Sequence, residues 1–234
     1  MSEGPAFYAR AGSGRADLVG LLHPPYTALH LSYVVIGASL AATVSLSRLA
    51  WTLLVFFLAV GIAAHALDEI NGRPLGTRLS DPTLWGMAIV ALGAAAVIVA
   101  LGSVSLSPWI WAWALVGLFF AVGYPLEWPG ILHTDIGFAV AWGVYPVLAA
   151  YWVQAESVSL SAVIVAGFAA LLSLAQRSLS TPARFVRRET RTATAQFDVA
   201  AWNRAQLLAT WERPLRWLVW ASVALAAGLL VARI

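Results

Sequence analysis

Seven stretches of the chain, at about 26–46, 49–67, 84–104, 108–124, 135–154, 158–177 and 214–232, are almost free of charge. A helix needs roughly 20 mostly apolar residues to cross the ~30 Å hydrocarbon core of a bilayer. These stretches predict an all-α fold, a polytopic transmembrane helix bundle of about seven spans. Composition agrees: 61% of the 234 residues are hydrophobic and 11% are charged, against about 25% charged in soluble domains. Mean hydropathy is +0.80.

The start signals fit the same segmentation. Asp81-Pro82 and Ser107-Pro108 each read as an N-cap followed by proline at the first helical position, and Thr134-Asp135 reads as a cap for the fifth span. Pro146 predicts a kink in that span. Gly37, Ala38, Ala41, Gly93, Ala94 and Ala95 allow close helix packing.

All 14 basic residues are arginine. With seven spans, 12 of them fall on the side of the N-terminus, and only Arg48 and Arg233 fall opposite. The positive-inside bias therefore predicts an inner-membrane protein with a cytoplasmic N-terminus and the C-terminus outside. It also accounts for a pI near 9.7 without nucleic acid. Absent cysteine excludes disulfides and thiolate chemistry, and absent lysine excludes Schiff bases. The expected organisation is a polar tail over 1–25, six spans over 26–178, a basic loop with an amphipathic interfacial helix over 179–213, and a seventh span over 214–234. Phe197, Ala201, Ala205, Leu208 and Trp211 would form the apolar face of the interfacial helix.

The polar residues gather at the cytoplasmic ends of spans. His30 lies one turn inside the first and shares a face with Tyr26 and Tyr33. His65, Asp68 and Glu69 close the second at i, i+3, i+4 spacing, which lets all three point one way. Asn71, Arg73 and Arg78 follow. The next cytoplasmic loop brings Tyr124, Glu127, His133 and Asp135, and span six ends in Gln176-Arg177. Ionisable groups at membrane depth mark functional sites by default. His65, Asp68 and Glu69 are the candidate catalytic and metal-ligating set, suited to Mg²⁺ or Mn²⁺ through the carboxylates or to a transition metal through the imidazole. The others, His30 included, are candidate substrate contacts, with Arg73 and Arg78 suited to phosphate.

HALDEINGRPLGTRLSDPTLW, ending the second span, and Tyr124-Pro125, ending the fourth, resemble the corresponding motifs of the UbiA family of intramembrane prenyltransferases. The resemblance covers roughly 20–180. Asp68 and Glu69 stand near the family's first acids and Arg73-Pro74-Leu75 matches its R-P-L stretch. It implies Mg²⁺-assisted transfer of a prenyl group from an isoprenoid diphosphate to a lipophilic or aromatic acceptor. The family's second acidic motif has no counterpart, since no acid lies between Glu156 and Glu189; Arg177 and Arg184 are positioned to pair with phosphate instead. Two other readings stay open. One is a non-catalytic lipid- or quinone-binding protein or complex subunit, anchored by interfacial tryptophans such as Trp85, Trp109, Trp128 and Trp152. The other is a membrane enzyme with a His/Asp/Glu metal site built on His30, His65 and His133. The expected partners are membrane lipids and an isoprenoid or other lipophilic ligand. No protein partner is indicated.

Overall fold

The computed structural model describes residues 5–9, 14–128, 132–190, 192–196 and 200–234. Arg10 and Arg191, counted among the 12 arginines, and Phe197 lie outside them. The elements in chain order are α1 (Arg15–Leu21), α2 (Pro24–Ser39), α3 (Leu46–Ile70), α4 (Asp81–Gly102), α5 (Ile110–Gly123), α6 (Asp135–Ala155), α7 (Leu160–Glu189), β1 (Thr194–Gln196), β2 (Ala201–Asn203) and α8 (Arg204–Val231). The fold is a helical bundle with one antiparallel β1–β2 pair. Five helices, α3, α4, α6, α7 and α8, are long and apolar enough to cross a membrane, compatible with a membrane-embedded protein. The remaining two expected spans are shorter helices, α2 with 16 residues and α5 with 14.

The central helix α2 packs most extensively on α6 and α8. Tyr33, Val34 and Ala38 on it are fully buried. Gly37 is required there, because a Cβ would overlap the backbone of Val147 on α6. Ala166 and Ala169 of α7 and Val219 and Ala226 of α8 complete that core. Gly93 differs from the packing expected of it: a Cβ there meets nothing within 4 Å, and the residue opens onto a groove instead. Large apolar side chains such as Ile89, Val90, Ile164, Leu171 and Trp220 point outward, as they would toward lipid.

Local chemistry explains the helix ends. Thr134 caps α6 as expected, its hydroxyl accepting from Gly137 N at 2.9 Å. Ser80, one residue before the expected cap, receives Thr83 N and starts α4 at Asp81. Ser107-Pro108 makes a turn, not a cap, and α5 begins at Ile110. Pro146 lacks the N–H an α-turn needs, and a π-helical segment, Val140–Val144, precedes it. A second π-segment, Phe57–Ala64, sits within α3 directly before His65.

The region after the sixth span departs most from expectation. α7 continues through Pro182 to Glu189, so the basic stretch is helical and extends the span. Arg204 donates to the Val186 and Thr190 carbonyls at its end. Extended β1 and β2 take the place of the expected start of an interfacial helix. α8 begins at Arg204 because Asn203 and Gln206 form a reciprocal capping box, and it runs through Pro214 without a break. Glu212 on α8 and Arg187 on α7 form a buried bidentate pair, Nη2 to Oε2 at 2.8 Å, that holds the two helices together.

At the opposite end, Arg48 and Glu156 pair at 3.5 Å, and Glu156 also accepts from Ser107 N. Trp85, Trp109 and Trp128 are exposed, but Trp152 is buried against Trp113, Val99 and Ile110. The N-terminal segment is not a free tail. Ala6 and Ala9 are buried with Leu75, and Asp17 of α1 accepts from Arg78 N at 3.2 Å.

Candidate functional site

All four histidines of the chain, His23, His30, His65 and His133, line one cavity of about 120 Å³. Asp68, Tyr26, Tyr124, Gln176, Arg177, Ser180 and Arg184 line it with them. α2 supplies Tyr26 and His30, α3 supplies His65 and Asp68, α7 supplies Gln176 through Arg184, and the segment between α5 and α6 supplies Tyr124 and His133. Of the residues expected from sequence, His30, His65, Asp68, Tyr124, His133, Gln176 and Arg177 therefore meet in one place.

The other candidates have structural partners. Glu69, in the expected ligand set, is held by backbone donors. It is 1% exposed, and its two carboxylate oxygens accept from Leu75 N at 2.9 Å and Thr77 N at 2.7 Å. It anchors the loop that follows α3. Arg73 does not face the cavity either: it pairs with Asp81 and donates to the Leu79 carbonyl at 2.6 Å. Asn71 donates to the Pro125 carbonyl at 3.0 Å, tying this loop to the Tyr124-Pro125 turn. Glu127 lies 3.8 Å from His133 and does not line the cavity. Asp135 is an exposed partner of Arg177, at 2.6 Å from Nε. Arg177 also donates to the Tyr124 hydroxyl and lies over the Phe138 ring at 5.3 Å. Arg78 is not among the residues lining the cavity.

The histidines are held in distinct ways. His65 Nδ1 donates to the Gly61 carbonyl at 3.2 Å. A carbonyl only accepts, so this bond places the proton of neutral His65 on Nδ1 and leaves Nε2 as an acceptor. The His23 ring stacks on that of His65, and its Nδ1 is bonded to the Tyr8 hydroxyl at 2.6 Å. Burial first, and then the neighbouring His65, Arg184 and Arg188, pull the His23 pKa well below the usual histidine range. Burial likewise pushes the Tyr8 hydroxyl well above its usual value. The site thus holds a neutral Tyr8–His23 pair at its N-terminal wall. His133 stacks on Tyr124 at 4.9 Å.

The charged residues lining the chamber are Asp68, Arg177 and Arg184. Arg184 and Asp68 line the cavity with no hydrogen-bond or ion-pair partner among the described residues. Arg188, one turn beyond Arg184 on α7, lies within electrostatic reach of both Asp68 and Tyr8. Arg177, Arg184 and Arg188 fall at i, i+7, i+11 on α7, which gathers positive charge along one side of that helix. Asp68 is the one carboxylate lining the cavity, and no group of three His, Asp or Glu side chains comes together to hold a metal among the described residues.

A second cavity, about 360 Å³ and almost entirely apolar, lies between α3, α4, α5 and α6. Val60 and Trp142 line both cavities. The polar chamber therefore opens beside an apolar groove, an arrangement suited to a ligand with a polar head and a long apolar chain.

Sequence reasoning missed His23 and the placement of Arg184. His23 stands in the polar segment before α2, just ahead of Pro24-Pro25, and only the fold brings it against His65. Comparison of the chain with known protein families, curated proteins and solved structures finds no match.

Proposed function

We propose that this chain is a seven-span inner-membrane protein, N-terminus in the cytoplasm, that binds an isoprenoid diphosphate and transfers its prenyl group to a lipophilic or aromatic acceptor. The observation that carries the reading is the sharing of Val60 and Trp142 by the polar chamber and the apolar groove. The diphosphate head sits in the chamber against Arg184, Arg177 and Arg188, and the prenyl chain lies along the groove. In the reaction the bond between prenyl C1 and the diphosphate oxygen breaks, with its electron pair leaving on oxygen. The acceptor's carbon or oxygen bonds C1 and releases a proton. The arginines neutralise the charge that develops on the departing oxygen, a role in which preorganised cations act most strongly in a water-poor site. Because Glu69 is committed to the backbone, the cationic role falls to α7.

A second reading has one observation in its favour. With Glu69 turned away and no second acidic motif, the same chamber and groove fit a protein that binds a lipid or quinone without turning it over. Turnover separates the two. Purified protein in nanodiscs, given farnesyl diphosphate and a membrane lipid extract, is expected to release diphosphate and form a prenylated lipid, and Arg184→Ala is expected to abolish both. Bound but unchanged farnesyl diphosphate would leave the binding protein; no binding at all would sink both.

A further inference from the structure

Away from Arg184 along α7, the floor of the chamber holds two buried side chains with polar atoms that have no hydrogen-bond partner among the described residues. His30 is 6% exposed, and neither of its ring nitrogens has a hydrogen-bond partner among the described residues. It lies two helical turns, roughly 10 Å, inward of His23 along α2. Across from it on α7, Gln176 is 4% exposed. Its Nε2 donates to Ser180 Oγ at 3.4 Å, and its Oε1 has no partner. Gln176 lies eight residues before Arg184, roughly 12 Å deeper along the same helix. Trp142 walls this floor, its ring centroid 5.7 Å from that of His30. Trp142 also borders the apolar groove.

Buried polar groups in folded proteins are nearly always paired, and those left open mark missing ligands or waters. A neutral imidazole offers one N–H donor and one lone pair, and Gln176 Oε1 offers a further acceptor. Their complement is a neutral hydroxyl, which both donates and accepts. An anionic head is not favoured here: Arg177 is already engaged by Asp135 and Tyr124, Arg184 lies roughly 12 Å away along α7, and two acceptors face the floor.

We propose that His30 and Gln176 form a subsite for the hydroxyl of a neutral, lipophilic phenol or alcohol, packed on Trp142. It rests on the proposed function, in which that molecule is the prenyl acceptor. The floor then sits where Val60 and Trp142 admit the prenyl chain, so the acceptor and the C1 end of the donor meet at one point. Binding of the hydroxyl discriminates sharply against a methyl ether of the same shape, since the ether cannot donate and leaves an acceptor unpaired.

The test is binding of 4-nonylphenol, 4-nonylanisole and 4-nonylbenzoate to purified protein in nanodiscs, with farnesyl thiodiphosphate, an unreactive donor analogue, measured separately. Wild type is expected to bind the phenol at least about tenfold more tightly than the ether or the benzoate. His30→Phe and Gln176→Leu, each apolar and of similar size, are expected to erase that preference, while a cooperative melting transition like that of wild type reports that they fold. Equal wild-type affinity for phenol and ether, or a preference that survives in both variants, would overturn the subsite. A phenol preference without farnesyl thiodiphosphate binding would keep the subsite and overturn the prenyl-transfer reading.

Discussion

The imidazole rings of His23 and His65 stack face to face, centroids 4.2 Å apart and planes 15° from parallel. Two rings so close cannot both carry charge without repulsion, and burial already disfavours a proton on His23. A depressed native pKa means that the unfolded chain takes up a proton, near pH 6.5, that the folded protein refuses. Stability contributed by neutral His23 is therefore full above that value and falls as pH drops through it. Thermal stability in detergent is expected to decline from pH 7.5 to 5.5, and His23→Gln is expected to shallow the decline. A slope that His23→Gln leaves unchanged would contradict this.

Glu69 acts on the loop and not on the ligand. Glu69→Gln exchanges one of two accepting oxygens for an amide facing a buried backbone N–H, a loss of about 1–3 kcal/mol. The melting temperature is expected to fall, while farnesyl thiodiphosphate affinity of the folded protein stays within about twofold. Loss of affinity with stability intact would return Glu69 to the site.

Two arginines that look alike in the sequence are expected to separate. Among the described residues Arg184 has no hydrogen-bond or ion-pair partner, whereas Arg73 is engaged by Asp81 and Leu79. Arg184→Ala is expected to weaken inorganic diphosphate binding by about 10–100-fold and to flatten its dependence on salt. Arg73→Ala is expected to leave that binding unchanged and to lower stability.

Gly37→Ala places a methyl group against the Val147 backbone, where nothing can rotate away. A cost of about 1–3 kcal/mol follows from overpacking. Gly93→Ala, in open space, is expected to be neutral in stability. Melting curves of the two variants side by side check the contrast.

The apolar segments, the Thr134 cap and the disruption ahead of Pro146 were legible because each is a local signal. So was much of the chamber, since His65 and Asp68 at i, i+3 share a helix face whatever the helix packs on. Glu69 was not. It sits one position, about 100°, around the helix from Asp68, and the loop carrying Leu75 and Thr77 folds back to claim it. His23 and Arg184 were hidden for tertiary reasons. The first reaches His65 only through packing of the N-terminal segment, and the second faces the chamber only because α7 continues helically through Pro182. Helix propensity would stop a helix at that proline.

The central claim is that one amphiphile occupies the polar chamber and the apolar groove together. The most direct measurement is the affinity of farnesyl thiodiphosphate for wild type and for Ala59→Trp, which fills the groove beyond Val60, with inorganic diphosphate as the headgroup control. The account predicts at least about tenfold weaker farnesyl thiodiphosphate binding in the variant, with inorganic diphosphate unaffected. Equal affinity of both proteins for farnesyl thiodiphosphate would contradict it.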